Sequence, residues 1–253
     1  MKTIALYSMK GGVGKTAGAV NLAYTAARDG HRVLLWDLDP QAASTFYFRL
    51  RSARGGARKL LAGEKDLSRL IKASDYPRLD LLPARFSFRQ ADLALAHAKA
   101  PIERFRRLLK AFVADYDFLI FDCAPGLSLM SECVVGVSDA VLIPTIPSPL
   151  SLRTLDMLAN HFGDVQTTRM LPYFSMADRR KRLHCEIIER GASLVYPALA
   201  SAIPYASQVE LMGVKRAPVH EFARTSLAAR AYGNLWCELL EALNADGQVT
   251  SLQ

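Results

Sequence analysis

The chain has 253 residues, of which 51% are hydrophobic and 22% are charged, a balance typical of a globular protein rather than a disordered one. No run approaches the roughly 20 apolar residues of a membrane span, no secretory signal precedes the first predicted strand, and the four scattered cysteines disfavour a zinc site, so we expect a cytoplasmic protein. The net charge of +8 suits a polyanionic partner such as nucleic acid, and equally a basic surface that binds nothing.

Apolar segments of strand length alternate along the chain with segments long enough for crossover helices. The predicted strands are residues 3–9, 32–39, 79–84, 118–123, 140–146, 169–175 and 199–203. Several are apolar almost throughout, as are strands buried on both faces of a parallel sheet. Residues 16–29 and 151–162 are predicted helices. The pattern predicts an α/β fold with a doubly wound, mostly parallel sheet between helices in three layers, and ligands at the carboxyl ends of the strands.

We expect one domain over residues 1–253. The sequence between the second and third predicted strands is rich in Arg and Gly, and we predict a flexible insertion at residues 49–59. The last residues, 244–253, are polar and are predicted to form a flexible tail.

A glycine-rich loop follows the first predicted strand and opens the first predicted helix. Its glycines allow several backbone N–H groups to turn toward one phosphate, and the helix N-terminus adds a favourable dipole. Lys15 supplies a positive charge for the β- and γ-phosphates, and Thr16 offers a hydroxyl to Mg²⁺. The predicted nucleotide-binding residues of this loop are Lys10, Gly11, Gly12, Val13, Gly14, Lys15, Thr16 and Ala17. The predicted ligands are ATP or ADP and Mg²⁺.

The loop departs from the common GxxxxGK[ST] pattern, because Met9 stands where a glycine is usual and Lys10 is an additional lysine. The stretch KGGVGKT resembles the deviant Walker A motif of the ParA/MinD family of ATPases. In that family the early lysine reaches across a dimer interface to the nucleotide of the partner subunit. The resemblance implies an ATP-dependent homodimer in which Lys10 and Lys15 are catalytic. A cation delivered in this way couples ATP binding to dimerisation and stabilises charge on the transferring phosphate.

Two acidic motifs end predicted strands. Asp37 and Asp39 lie two residues apart on a strand, so their side chains point the same way. They resemble the family's DxDPQ switch I motif, which implies that Asp39 positions the attacking water as a catalytic residue, with Asp37 in support. Asp122 ends a hydrophobic strand that resembles a Walker B segment. The predicted metal residues are therefore Thr16, Asp37, Asp39 and Asp122, the last acting through water because Mg²⁺ keeps most of its own waters.

The resemblance covers most of the chain, including residues 79–84, 141–145, 149–152 and the C-terminal third. Relatives hold the adenine base near the positions of Ser175, Met176, Pro204 and Tyr205, and Pro204 is the predicted base contact. Two departures stand out. Residues 205–216 differ from the usual chromosome-partitioning sequence, which has Arg and Asn after Ile-Pro. The chain also begins at the first strand, whereas large plasmid members carry an N-terminal helix-turn-helix, so we expect no specific operator binding.

Family members bind DNA without sequence preference through basic residues of the assembled dimer. The candidate DNA-binding residues here are Arg179, Arg182, Lys215, Arg216, Arg224 and Arg230. Lys and Arg on phosphates would give affinity that depends on salt and not on sequence. For the basic run at residues 179–182, a solvated helix start is an equally open interpretation.

Other branches of the superfamily fit the sequence less well. Membrane-bound, MinD-like members need a basic amphipathic helix at the extreme C-terminus, whereas the last predicted helix, residues 227–243, carries a core-type leucine stripe. Iron-protein and arsenite-ATPase relatives need cysteine spacings that are absent from this sequence. A small-molecule ligase or kinase of the superfamily usually lacks the equivalent of Lys10.

The function expected from the resemblance is that of a ParA-like ATPase with slow, Mg²⁺-dependent hydrolysis. ATP would drive homodimerisation, the dimer would bind nonspecific DNA at the nucleoid, and a ParB-like or other adaptor would stimulate hydrolysis. Such a cycle positions a plasmid, a chromosome region or a protein cargo, with no membrane involved. The alternative is an ATP-gated protein-interaction switch that does not bind DNA.

Overall fold

A central sheet organises the chain in a computed structural model that describes residues 1–51, 67–84, 91–96, 99–163 and 168–244. Residues 52–59 of the predicted insertion and 245–253 of the predicted tail lie outside the described residues. Within the described ranges the strands are β1 (Lys2–Leu6), β2 (Val33–Asp37), β3 (Lys72–Ala73), β4 (Leu79–Leu82), β5 (Phe118–Asp122), β6 (Ala140–Thr145), β7 (Arg169–Ala177) and β8 (Ala202–Pro204).

The strand order in the sheet is β3-β4-β2-β5-β1-β6-β7-β8. Every neighbouring pair is parallel except β3 with β4, which is antiparallel. The prediction of a mostly parallel α/β sheet is therefore confirmed. β1 lies between β5 and β6, so the loop that follows it opens between two other strand ends, as expected for ligand sites in this class of fold.

Helices cover both faces of the sheet. They are α1 (Lys15–Arg28), α2 (Ala43–Tyr47), α3 (Ala91–Ala96), α4 (Pro101–Leu109), α5 (Leu129–Val137), α6 (Pro149–Phe162), α7 (Arg182–Glu189), α8 (Ser207–Lys215), α9 (Val219–Phe222) and α10 (Leu227–Asn244). Short 3₁₀ turns occur at Ser68–Leu70, Lys110–Phe112 and Gly191–Ser193. α10 packs against α1 and β8 on one face, and α4 packs against α5 on the other.

Two hydrophobic clusters lie on opposite faces of the sheet because strand residues alternate between them. In β1, Ile4 and Leu6 join the cluster under α1 and α10, whereas Ala5 joins the cluster under α4, α5 and α6. Aromatic contacts anchor both clusters. Trp36 stacks on Phe105 with ring centroids 5.6 Å apart in the second cluster, and Phe118 meets Trp236 edge to face at 5.0 Å in the first. The sheet and the helices on its two faces therefore form three layers, as predicted.

The predicted and observed strands differ mainly at their ends. β1 and β2 stop at Leu6 and Asp37, so the phosphate loop and Asp39 lie outside the sheet. The last strand begins at Ala202 rather than 199, although the Leu199 N–H still donates to the Pro172 carbonyl of β7 at 2.8 Å. β3 was not predicted, because two exposed residues carry no hydrophobic alternation.

Among the described residues, no helix combines the length and the apolar character that crossing a membrane requires.

Candidate functional site

The phosphate loop joins β1 to α1 and has the backbone of an anion cradle. Gly12 and Gly14 have φ values of 71° and 96°, a left-handed conformation that glycine adopts without steric cost. Gly14 is also the N-cap of α1. A Cβ at residue 14 would lie 2.7 Å from the Ser175 side-chain oxygen at the end of β7. Both the backbone angle and this contact require glycine at position 14.

We expect Gly14→Ala to destabilise the chain, because the left-handed backbone costs an alanine about 1–2 kcal/mol and the contact with Ser175 adds to it. For a chain of this size the melting temperature should fall by about 2–8 °C. Gly11→Ala is the matched control, since no atom lies within 4 Å of the added Cβ. A Ser175→Ala background should restore part of the loss. Equal melting temperatures of the two glycine variants would contradict this account.

Lys15 lies at the first position of α1 with only 6% of its surface exposed. Its ammonium donates to the Lys10 carbonyl at 3.0 Å, which closes the loop on itself. Burial lowers the pKa of Lys15, and the nearby Asp122 and Asp39 carboxylates act in the opposite direction. A cation held at a desolvation cost, in a loop of inward-turning backbone, suits a polyphosphate ligand.

The two strand-terminal carboxylates face each other across neighbouring strands, since Asp37 of β2 is in register with Asp122 of β5. Both are fully buried. Asp122 accepts hydrogen bonds from the Thr16 hydroxyl at 3.2 Å and the Ser44 hydroxyl at 2.8 Å. Burial raises the pKa of Asp122, and the Ser44 and Thr16 hydroxyls act in the opposite direction. The Walker B acid predicted from sequence therefore lies beside the predicted Mg²⁺ hydroxyl.

The residues at this position fit a Mg²⁺ ion. A hydroxyl and a carboxylate separated by 3.2 Å at the mouth of a phosphate loop are oxygen donors of the kind that Mg²⁺ prefers. Burial raises the pKa of the Asp122 carboxyl, and a divalent cation bound beside it would offset this cost of burying the charged form. Within the described residues no group of three or more His, Cys, Asp or Glu side chains forms a closed metal cage. The arrangement resembles a site shared between protein, water and phosphate.

Asp37 and Asp39 occupy different environments despite their spacing. One oxygen of Asp37 accepts from both the N–H and the hydroxyl of Thr45, at 2.8 and 2.7 Å, and the other accepts from the Asp39 N–H at 3.2 Å. Burial, followed by the charge of Asp122, raises the pKa of Asp37. Asp39 is half-buried, and one of its carboxylate oxygens accepts from the Gln41 N–H at 2.9 Å. Asp37 is a structural anchor, and Asp39 remains accessible to a ligand.

Sequence reasoning missed the two hydroxyl residues of α2. Ser44 binds Asp122 and Thr45 binds Asp37, and the Thr45 oxygen also accepts from the Ala84 N–H at 2.9 Å. α2 therefore holds both buried carboxylates in place. A Ser-Thr pair a few residues after an acidic motif is the signal that could have identified them.

Lys10 points away from its own phosphate loop. Its ammonium donates to the Leu150 carbonyl in the first turn of α6 at 2.8 Å, and the side chain is half-buried. The loop after β5 makes a different contact, in which the Tyr7 hydroxyl donates to the Gly126 carbonyl at 3.0 Å. Gly126 has a φ of 97°, so this turn also requires glycine.

The end of β7 is irregular where a base-binding region was predicted. The pairing with β8 shifts register between Phe174 and Ala177, and Met176 has a φ of 54°. Such bulges redirect side chains and are common beside active sites. Pro204 pairs with Ala177 and lines an adjoining cavity of about 890 Å³, which we call the β8 cleft and which lies between β8, the segment after β7 and α10.

The six candidate DNA-binding residues do not share one environment. Arg179 and Arg230 line the β8 cleft and are exposed. Arg182 pairs with Glu186 at 2.7 Å. The remaining three lie elsewhere: Lys215 lines a second cavity beside α1, the Arg216 guanidinium lies 4.5 Å from the centre of the Phe46 ring, and Arg224 is exposed. Arg179 and Arg230 therefore share one cavity, in which a polyanion could contact both.

Known proteins resemble this chain over most of its length. A family model described as an AAA domain matches residues 1–173. The sporulation initiation inhibitor protein Soj of Bacillus subtilis is 34% identical over 196 residues, which cover 74% of this chain and 78% of that protein. The chromosome partitioning protein ParA of Myxococcus xanthus is 31% identical over 197 residues, covering 74% and 69%.

Solved structures share the fold. The crystal structure of cobyrinic acid a,c-diamide synthase from Mycobacterium smegmatis, with bound ADP and magnesium, superimposes with a TM-score of 0.82. The alignment covers 97% of this chain and 96% of that one at 24% identity. At this identity the likeness concerns the fold alone.

Proposed function

The chain belongs to the ParA/MinD family of P-loop ATPases, and we propose that it acts as a ParA-like positioning ATPase. In this proposal ATP drives homodimerisation, the dimer binds DNA without sequence preference, and an adaptor protein stimulates slow hydrolysis. The observation that carries the proposal is the phosphate loop itself, in which buried Lys15 and the Thr16–Asp122 contact lie beside the additional lysine, Lys10.

The proposed roles follow from the positions of the side chains. Lys15 would bind the β- and γ-phosphates in place of the Lys10 carbonyl that it contacts here. Thr16 and Asp122 would hold Mg²⁺, which when bound neutralises phosphate charge. Asp39, the accessible carboxylate, would orient the attacking water. Pro204 would contact the base.

The proposed dimer rests on Lys10. Its ammonium contacts α6 rather than its own loop, so it is not committed to the nucleotide of its own subunit. In a dimer closed face to face, the same side chain would exchange the Leu150 carbonyl for phosphate oxygens of the partner's nucleotide. Each nucleotide would then receive the positive charges of Lys15 from its own subunit and Lys10 from the partner only when two subunits are joined.

The proposed DNA surface is the β8 cleft. Of its three arginines, Arg180 is neutralised by Asp178, with N–O distances of 2.9 and 3.0 Å. The Glu238 carboxylate in the same cleft accepts hydrogen bonds from the Ala200 N–H and the Ser201 hydroxyl. Within the described part of the chain, the side chains of Arg179 and Arg230 have no such partner, so their charge is available to phosphates.

The test is binding of a nonspecific DNA duplex with and without ATP, at two salt concentrations. We expect ATP-dependent binding that Arg179→Ala/Arg230→Ala weakens by about tenfold at low salt, with a salt slope smaller by about 2. The matched control is Arg180→Ala/Arg182→Ala, which removes the same charge from arginines that carboxylates neutralise. This control should lose about threefold or less.

Two results would count against the proposal. Equal losses in the two double variants would place the DNA surface elsewhere. ATP-dependent dimerisation without DNA binding at low salt would favour the ATP-gated protein-interaction switch instead.

A further inference from the structure

A second large cavity lies at the end of α1 opposite to the phosphate loop. We call it the α1 cleft; its volume is about 870 Å³. α1 has 14 residues and begins at Lys15, so its last residue, Arg28, lies about 20 Å along the helix from the loop. The cleft is therefore at the amino-terminal edge of the sheet, away from the strand ends where this class of fold binds its usual ligands.

Positive charge is in excess in the α1 cleft. Four cationic side chains line it, Arg28, Arg49, Arg78 and Lys215, against two carboxylates. The carboxylates are engaged within the chain: Asp75 pairs with Arg49 at 3.4 Å, and Glu221 accepts a hydrogen bond from the Tyr24 hydroxyl.

Three of the four cations can bind an anion, either with all of their N–H groups or with some of them. For Arg28 and Lys215, the part of the chain that the structure describes offers no side-chain partner. One Arg78 nitrogen donates to the Gly30 carbonyl at 2.6 Å, which aims the guanidinium and leaves its other N–H groups available. A ligand with two or more anionic groups would find a separate cation for each.

Aromatic rings supply the remaining wall. Tyr24, Tyr76 and Phe222 line the cleft, and the first two meet edge to face with centroids 5.1 Å apart. Flat ring systems bind to such walls by stacking, and arginine planes stack on the same rings. The volume lies in the range of small-molecule sites.

The backbone also presents these cations under strain. Arg49 and Arg78 have φ values of 59° and 64°, a conformation that favours glycine over residues with a Cβ. At Arg49 this conformation ends α2, where the Leu50 N–H donates to the Thr45 carbonyl at 3.1 Å, and at Arg78 it comes directly before β4. Here it places two arginines on the rim of one cavity.

We propose that the α1 cleft is a second, non-catalytic binding site for a nucleoside polyphosphate. The base would stack on the aromatic wall, and the phosphates would bind Arg28, Arg78 and Lys215. A chain of acidic residues would satisfy the cations but would leave the aromatic wall unused. The observations therefore favour the nucleotide over an acidic protein segment.

The test uses the full chain carrying Lys15→Ala, in which the catalytic loop is disabled, with N-methylanthraniloyl GTP as fluorescent probe in the absence of Mg²⁺. We expect saturable binding that an added Arg28→Ala/Lys215→Ala pair weakens by about tenfold. Arg107→Ala on α4, combined with Lys110→Ala in the 3₁₀ turn that follows it, removes the same charge from exposed positions outside the cleft and should change the affinity by less than about twofold.

Arg78→Gly separates a binding role from a structural one. Glycine relieves the positive φ, so the melting temperature should not fall, whereas probe affinity should drop by about fivefold. Three results would overturn the proposal: no saturable binding to the Lys15→Ala chain, equal losses in the cleft and control variants, or retained affinity in Arg78→Gly. Binding of a deca-glutamate peptide that depends on Arg28 and Lys215, without binding of the nucleotide probe, would replace it with an acidic protein partner.

Discussion

Lys15→Ala should weaken ATP binding by at least about 100-fold, the equivalent of about 2.7 kcal/mol. The ammonium is buried at a desolvation cost, and in the structure its hydrogen-bond acceptor is a backbone carbonyl rather than a carboxylate. That cost is recovered only when phosphate arrives. The melting temperature of the nucleotide-free chain should therefore change little, while the stabilisation by added ATP disappears.

Lys10→Ala is the matched control for this prediction, since it removes a lysine from the same loop. Its ammonium contacts Leu150, so monomer affinity for ATP should stay within about threefold of the parent value. Fluorescence titration with a labelled ATP analogue measures both variants. Equal losses of affinity would show that the two lysines do not have separate roles, and normal hydrolysis by Lys10→Ala would remove the proposed role across the dimer.

Asp39→Ala should lower the hydrolysis rate by at least about 100-fold while leaving ATP binding nearly intact. Asp39 is half-buried and open to a ligand, and its contacts with the chain are local ones to Gln41 and Asp37. Removing it takes away the group proposed to orient water without disturbing the loop. The ATP-bound dimer should accumulate, which size-exclusion chromatography with ATP and Mg²⁺ would detect.

Two comparisons make the Asp39 prediction specific. Asp156→Ala, on the exposed face of α6, removes an equal charge and should leave the hydrolysis rate within about twofold. Asp37→Ala should instead lower the free energy of unfolding by about 1–3 kcal/mol, because the N–H and hydroxyl of Thr45 lose their buried acceptor. A folded Asp39→Ala chain that hydrolyses ATP at the parent rate would refute the assignment.

The regular parts of the fold could be predicted from sequence because their signals are local. An apolar strand such as β5 and a helix such as α1 can each be recognised from the hydrophobic pattern within a single segment. β3, with two exposed residues, carries no such period and is defined only by its pairing with Asp80 and Leu81 of β4.

The parts of the site that lie within a single short motif could be predicted from the sequence. The glycine loop, Asp39 and Asp122 are each legible in a few consecutive residues. The hydroxyls of α2, the Leu150 carbonyl and the α1 cleft arise when separate segments meet, and no single stretch of sequence encodes them. The DNA candidates were harder still, because a basic residue in a sequence does not reveal whether a carboxylate neutralises it, as Glu186 neutralises Arg182.

The contact of Lys10 with the Leu150 carbonyl has a consequence for reaction order. If each subunit keeps Lys10 on its own α6 and delivers it only to a partner, an isolated subunit binds ATP but lacks the positive charge of the second lysine that hydrolysis requires. Turnover per chain then rises with chain concentration, because pairing follows mass action. Dilute protein would conserve ATP, and consumption would begin only where molecules are crowded onto a common surface, so the enzyme would act as a sensor of its own local density.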